Sequence, residues 1–391
     1  MKRVAVLAAA LAPAALAAGA EAPVEPRRLA LGVEVSAAIG PEDRGFFNYT
    51  SYEESAQRMA RLSLTAEWRV AERLALLGEV RDENLRRPRV YALYARLRPW
   101  PDQPFDLQAG LIPPVFGAFA RRRYVADNPL IGEPLAYQYL TSLRSDAAPG
   151  TESDLIATRG AGWRVNYPLG WGRTEPEPGL PLVNALRWDT GVQVHVGSGA
   201  LEASAALTQG TLSNPLVHDD NGGKQLSARV AWKPVVGLVL GASGARGDYL
   251  SRALVDSLPP GRRGHDAQQA WGVDLEYSRD RWILRSEAIW SRWQTPMVAR
   301  SLGALGFTAE GRCKLLPGLY AAARLDRLDF TDIDGPSGPV SWDAPVWRTE
   351  AGLGYTPVRR VLAKLAYQHN WRDGGRVRER SLLTAQLVLW Y

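Results

Sequence analysis

Apolar and polar residues alternate along most of the chain. From Leu62 to Val70, for example, every even-numbered position is apolar and every odd-numbered one is polar or charged. A β-strand places successive side chains on opposite faces, so each such segment predicts a strand with one apolar and one polar face. In a later strand the same alternation assigns Tyr91 and Leu93 to the apolar face. Sixteen strands are predicted, at residues 29–39, 57–70, 74–85, 88–98, 105–112, 186–196, 200–208, 224–233, 238–246, 268–279, 282–293, 302–314, 319–329, 346–356, 361–371 and 379–391.

The length of these segments separates a membrane barrel from a soluble sandwich. Sandwich strands are usually about 5–6 residues long, whereas a tilted strand needs about 9–11 residues to cross a bilayer. Most of the predicted strands reach the longer range. Short turns alternate with longer polar loops between them, which is typical of outer-membrane barrels. The sequence therefore predicts an all-β fold, a transmembrane antiparallel β-barrel of sixteen strands, with eighteen as the alternative.

Amphipathic aromatic residues support this prediction. The chain has 14 Trp and 14 Tyr but only 7 Phe. Rings with one polar edge favour the boundary between lipid and water. The aromatic residues beside the predicted short turns would form a belt at one rim of the barrel. The alternative interpretation is that they are buried in the core of a soluble sandwich. They are Trp68, Trp100, Trp232, Tyr277, Trp282, Tyr355, Trp390 and Tyr391.

The N-terminus predicts export from the cytoplasm. Lys2 and Arg3 precede an apolar run and a small-residue site that ends at Ala20, as in a cleaved signal peptide. A frayed apolar N-terminus is the alternative. We therefore expect a signal peptide at 1–20 and one barrel domain at 21–391. Cleavage would lower the formal net charge of +6 by two, and so mild an excess does not indicate nucleic-acid binding.

One segment, residues 113–185, lacks the alternation. It is rich in aromatic residues, so we expect an ordered loop folded into the lumen rather than a disordered linker. Its basic run, Arg121, Arg122 and Arg123 followed by Tyr124, is the candidate for a charged constriction. The alternative is a solvated basic patch on an external loop.

The polar strand faces supply the other candidate lining residues. They mix both signs of charge, so we expect a transverse field that favours polar or charged solutes. These candidates are Arg96, Arg187, Asp189, Arg229, Asp274, Glu276, Arg285, Arg348, Glu350 and Arg380.

No catalytic, cofactor or metal site is expected. The chain has one cysteine and four histidines, and it has no Gly-rich phosphate loop, nucleophile elbow or zinc-protease motif. His195 lies on the polar face of its strand beside Asp189 and Gln193, where a hydrogen-bonding pore residue is the expected role.

Several motifs resemble the phosphate-selective porin-like family. The sequence FDLQAGLIPPVFG at 105–117 resembles that family's strand leading into the constriction loop, and WDTGVQ at 188–193 resembles the next strand. Residues 224–229 and 241–244 are similar to a later hairpin. The resemblance implies a sixteen-stranded outer-membrane porin, often trimeric, whose long loop narrows the pore. Selective members carry clusters of lumenal Lys and Arg, whereas this chain has five lysines and mixed charges. Phosphate selectivity is therefore not carried over.

The resulting functional prediction is a passive channel in the bacterial outer membrane. Small polar solutes would diffuse through it, with a weak anion preference from Arg121–Arg123. The expected partners are outer-membrane lipid, small polar or anionic solutes, and further copies of the chain in a homotrimer. Alternatives are a scaffold barrel that holds a periplasmic partner such as a cytochrome, an outer-membrane hydrolase, and a soluble exported β-protein.

Overall fold

Sixteen strands close into one antiparallel barrel. The computed structural model describes residues 28–51, 54–100, 102–122, 124–185, 187–264 and 266–391. Within these residues each barrel strand pairs with its neighbours in the chain, and the last strand pairs with the first. The predicted barrel of sixteen strands is confirmed, rather than one of eighteen. The strands are β1 Leu29–Ile39, β2 Ala60–Ala71, β3 Leu74–Glu83, β4 Arg89–Leu97, β5 Phe105–Ile112, β6 Asp189–Ser198, β7 Leu201–Thr208, β8 Gln225–Trp232, β9 Leu238–Asp248, β10 Ala267–Arg279, β11 Trp282–Trp293, β12 Leu302–Leu316, β13 Leu319–Phe330, β14 Val346–Tyr355, β15 Val361–Arg372 and β16 Glu379–Trp390.

The barrel wall is apolar outside and polar inside. Strand β8 shows this position by position, because Gln225, Ser227 and Arg229 are buried while Leu226 is 63% exposed and Trp232 is 51% exposed. A water-soluble protein shows the reverse distribution. The period-two sequence therefore places its apolar face outward and its polar face toward the lumen.

One residue departs from the predicted alternation. The pairing of β3 with β4 shifts by one residue, so Glu79 is opposite Ala92 and Val80 is opposite Val90. Tyr91 is the extra residue of this β-bulge, and a bulge redirects the side chain at its position. Tyr91 is buried, and its hydroxyl donates to the Ala185 carbonyl at 3.0 Å. Its predicted place on the apolar outer face is therefore wrong.

The two rims of the barrel differ as predicted. Tight connections such as those of β2 to β3 and β10 to β11 lie at one rim, and the longer loops lie at the other. Trp68, Trp232 and Trp282 are half exposed at the short-turn rim, where the aromatic belt is expected. Other tryptophans are fully buried, among them Trp293 and Trp342, which pack against each other at 6.0 Å between ring centres.

The connection from β5 to β6 is the largest loop. It contains a 3-10 helix, Phe119–Arg122, and the short helices α1, Leu135–Gln138, and α2, Glu152–Ala157. The strand pair Ala147–Ala148 and Trp171–Gly172 also belongs to it. Apolar side chains of this loop pack with inward residues of β10 to β14 in one core.

The other loops carry a few further elements. They are helix α3, Arg252–Ser257, the 3-10 helix Pro260–Arg262, and the strand pairs Tyr49–Ser51 with Glu54–Ser55 and Asp332–Gly335 with Gly338–Ser341. Across the described residues, every helix is too short or too polar to span a bilayer.

Candidate functional site

Charged side chains on the inner wall pair across strands. Arg229 on β8 forms an ion pair with Asp274 on β10, and its second nitrogen donates to Asp274 at 2.8 Å. Gly241 on the intervening strand makes room for this bridge, because a Cβ atom there would collide with both side chains. The pair is buried, so each charge satisfies the other away from water.

A longer charge network continues around the wall. Arg285 on β11 contacts Glu276 at 2.7 Å and Glu310 at 3.3 Å. Arg324 on β13 contacts Glu310 at 3.5 Å and Glu350 on β14 at 2.8 Å. Each guanidinium therefore bridges carboxylates on neighbouring strands. Both signs of charge therefore alternate along this part of the inner wall.

The long loop is fixed to one wall near its start. The backbone N–H of Gly117 donates to Ser243 on β9 at 3.1 Å, and that of Ala118 donates to Glu287 on β11 at 2.8 Å. The hydroxyl of Tyr137 also donates to Glu287, at 2.7 Å. Residues 117 and 118 are therefore held against β9 and β11.

A few residues later the same loop is fixed to the opposite wall. The Tyr124 hydroxyl donates to Glu79 on β3 at 2.8 Å. The backbone N–H groups of Val125 and Ala126 donate to Glu34 on β1 at 3.1 and 3.0 Å. Burial and the adjacent Glu79 carboxylate raise the pKa of Tyr124. The hydroxyl therefore keeps its proton and acts as the donor.

These anchors show that residues 117–126, the crossing segment, traverse the lumen. In a ring of sixteen strands, β1 lies opposite β9 and β3 lies opposite β11. Arg121, Arg122 and Arg123 stand in the chain between the two sets of anchors. The backbone of Arg121 and Arg122 belongs to the 3-10 helix, their side chains are outside the described part, and Arg123 is wholly outside it.

At the end of the crossing segment and just after it, buried charges hold the loop against β14 and β15. Glu350 accepts the N–H groups of Ile131 and Gly132 at 3.0 and 2.9 Å. Lys364 donates to the carbonyls of Val125 and Asn128, each at 2.6 Å, and to that of Leu130 at 3.2 Å. Sequence reasoning missed Lys364 and Glu34. Their inward position in alternating strands was the available signal.

Arg348 points inward, but the loop covers it. Its guanidinium donates to the Glu133 carbonyl at 2.7 Å and to Asn370 at 2.8 Å, and it also binds the Phe47 carbonyl. Arg348 and Glu350 are both fully buried. They face the loop rather than open lumen.

A cavity of about 540 Å³ remains between the crossing segment and strands β1 to β4. Tyr124 and Asp127 line it from the loop side. Glu34, Glu67 and Glu79 line it from the wall. The lining therefore combines these carboxylate-bearing residues with apolar side chains, and the space adjoins the loop anchor at Tyr124.

The remaining predicted residues have different surroundings. Arg96 contacts Glu67 at 3.0 Å near the cavity, and Arg380 donates to the Glu42 carbonyl at 2.8 Å. Asp189 is buried and accepts N–H groups of the following loop, including that of Gly210 at 3.0 Å. Arg187 is exposed ahead of β6, because that strand begins at Asp189 rather than at the predicted residue 186.

The lumenal histidine has a simple partner. His195 on β6 lies 2.9 Å from the Ser204 hydroxyl on the next strand. Within the described ranges, no group of three or more His, Cys, Asp or Glu side chains is arranged to hold a metal ion.

Comparisons with known proteins relate this chain by fold. No family model and no curated protein sequence matches it. It is similar to OmpT, an outer membrane protein of Vibrio cholerae, with 11% identity, a TM-score of 0.55 and coverage of 93% of this chain and 97% of that one. OmpF of Salmonella typhi in complex with daunomycin has 12% identity, a TM-score of 0.54 and coverage of 93% and 97%. The anion-selective porin from Comamonas acidovorans has 9% identity, a TM-score of 0.54 and coverage of 93% and 98%. The chain shares their barrel fold.

Proposed function

We propose that this protein is an outer-membrane porin, a water-filled channel for passive diffusion of small polar solutes. The observation that carries the proposal is the crossing segment, which joins opposite walls of a closed barrel and leaves a cavity lined in part by acidic residues on one side. A loop that narrows a wide barrel limits the size of solutes that pass. The outward apolar faces suit a position in lipid.

The size of the cavity favours a channel over a scaffold barrel. A space of about 540 Å³ can hold a small solute, whereas a folded partner protein needs many times that volume. The loop and its packed core occupy the opposite side of the lumen. A scaffold would predict a stoichiometric partner that copurifies with the barrel.

We further propose that Arg121, Arg122 and Arg123 give the constriction a weak preference for anions. They lie in the chain between the anchors at Ala118 and Tyr124, and the wall that lines the cavity carries Glu34, Glu67 and Glu79. Facing rows of opposite charge create a field across the pore, and the sign nearer the solute path decides the preference.

The proposed relationship to the phosphate-selective porin-like family rests on the short motifs at 105–117 and 188–193.

Single-channel recording in a planar bilayer tests this function. Purified protein should give discrete conductance steps, and a KCl gradient should give a reversal potential of weak anion selectivity. The triple variant Arg121→Gln/Arg122→Gln/Arg123→Gln should become cation-selective, because the carboxylates that line the cavity remain. A matched control is Arg164→Gln/Arg173→Gln/Arg376→Gln, which removes three exposed loop arginines and should keep the wild-type selectivity.

Three results would contradict parts of this proposal. Absence of conductance steps from folded protein would exclude a channel. Cation selectivity in the wild type would remove the anion preference. An equal shift in the triple variant and its control would show that the preference reflects overall charge rather than the constriction.

We also propose that the channel is a homotrimer exported to the outer membrane with a cleaved signal peptide. One structural neighbour, OmpT of Vibrio cholerae, is described in a trimer form. Native mass spectrometry of detergent-extracted protein should give the mass of three chains that each begin after residue 20. A single-chain mass would exclude the trimer.

A further inference from the structure

Three polar side chains form a row on the outer face of the barrel, at the long-loop rim. Arg246 on β9 is directly opposite Gln269 on β10, and Gln269 is opposite Arg292 on β11. Neighbouring strands lie about 4.8 Å apart, so the Cα atoms of the two arginines are about 10 Å apart. The row lies on the same face as the apolar residues that would meet lipid.

The two arginines of this row lack protein partners. Both are exposed, and neither has an ion pair or side-chain hydrogen bond among the described residues. Arg327 on the outer face of β13 differs, because it pairs with Asp329 and lies 4.5 Å from the Trp347 ring centre. The nearest acid on the outer face of β9, Asp248, has its carboxylate beside Gly223 of the loop between β7 and β8. The row therefore carries uncompensated positive charge.

An apolar platform lies beside the row, toward the middle of the wall. Trp271 and Trp290 are directly opposite each other on β10 and β11 and are 65% and 45% exposed. Each lies one outward position from the row, about 7 Å along its strand toward the short-turn rim. The Trp271 ring lies over the backbone of Gly244, where a Cβ atom would come within 3.1 Å of it. Cationic and apolar surfaces thus adjoin in the order in which a lipid presents its headgroup and chains.

We propose that this face binds a lipid whose headgroup carries a phosphate. Arg246 and Arg292 would bind the phosphate from two sides with Gln269 as a further donor, while the acyl chains lie against Trp271 and Trp290. A guanidinium matches phosphate with two parallel hydrogen bonds, and basic sites at a membrane boundary recognise anionic headgroups. The site rests on the membrane location proposed above and is independent of conduction through the lumen.

Binding in detergent tests the site, with native mass spectrometry as the readout. Each protein is titrated with dioleoyl phosphatidic acid and with dioleoylglycerol, which has the same chains without phosphate. Wild-type protein should bind phosphatidic acid about tenfold more tightly than dioleoylglycerol, the effect of one charge-assisted hydrogen bond. Arg246→Gln/Arg292→Gln should lose this preference. Arg279→Gln/Arg281→Gln, two exposed arginines at the other end of the β10–β11 hairpin, should retain it.

Several outcomes would overturn the lipid site. They are equal binding of both lipids by wild type, an equal loss in the two double variants, and displacement of phosphatidic acid by millimolar inorganic phosphate. The last result would indicate a site for phosphate alone. A heat-dependent gel shift shows whether each variant is folded. Because the titration does not require conductance, a failure of the channel proposal is distinguishable from a failure of this one.

Discussion

At the scale of single residues, the lumen contains charges that depend on named partners. Arg229 and Asp274 are both buried, and their bridge passes over a glycine. Burying an unpaired charge costs several kcal/mol, whereas a paired one is tolerated. The partner of each charge therefore decides whether its loss affects the fold or only the solute path.

Replacing Asp274 by Asn should destabilise the barrel. Arg229 would lose its ion-pair partner in a buried position, at a cost of about 3 kcal/mol. Glu276→Gln is the matched control on the same strand, because Arg285 keeps its contact with Glu310 at 3.3 Å. Urea unfolding in detergent, followed by Trp fluorescence, measures both. Equal midpoints for the two variants would contradict the importance of the Arg229 pair.

At the scale of elements, the strands could be predicted far better than the loop contacts. The two-residue period is a local signal, so β5 and β11 begin and end at the predicted residues. The bulge at Tyr91 was missed because it depends on a shift between two strands. The partners of Glu34 and Lys364 were missed for a similar reason. Those partners are backbone groups more than 90 residues away in the chain, and no local pattern encodes them.

Lys364→Met should loosen the loop without breaking the barrel. It removes three hydrogen bonds to the carbonyls of Val125, Asn128 and Leu130, and the loss of charge-assisted bonds should weaken loop docking by about 3 kcal/mol. Trypsin should then cleave folded protein at Arg121–Arg123 about 100-fold faster, because a loss of about 3 kcal/mol in docking free energy raises the undocked fraction of the loop by about that factor. Lys233→Met, at a half-exposed ion pair with Glu202, is the control.

The cleavage rate separates two roles of Lys364. If it is an anchor, cleavage accelerates while the heat-dependent gel shift persists. If cleavage of Lys364→Met and Lys233→Met proceeds at the wild-type rate, the loop is held by its other contacts alone.

At the scale of the whole molecule, the lumen is divided unequally. The long loop packs in a continuous core with the inner faces of β10 to β14, and the open space lies beside β1 to β4. Inward positions around the ring are therefore not equivalent, although they look alike in the sequence. Thr65 on β2 lines the cavity, whereas Ala304 on β12 is buried in the core. Any solute path through the protein should follow the first side.

Cysteine modification should locate that path. In a Cys313→Ser background, Thr65→Cys should react with a water-soluble methanethiosulfonate that carries a trimethylammonium group, and the conductance should fall in discrete steps. The thiol displaces sulfinate and gains a bulky cation as a mixed disulfide, which narrows the cavity. Ala304→Cys should not respond, because its thiol would lie within the packed core. A fall in conductance at Ala304→Cys alone would place the path on the loop side and contradict the division of the lumen described above.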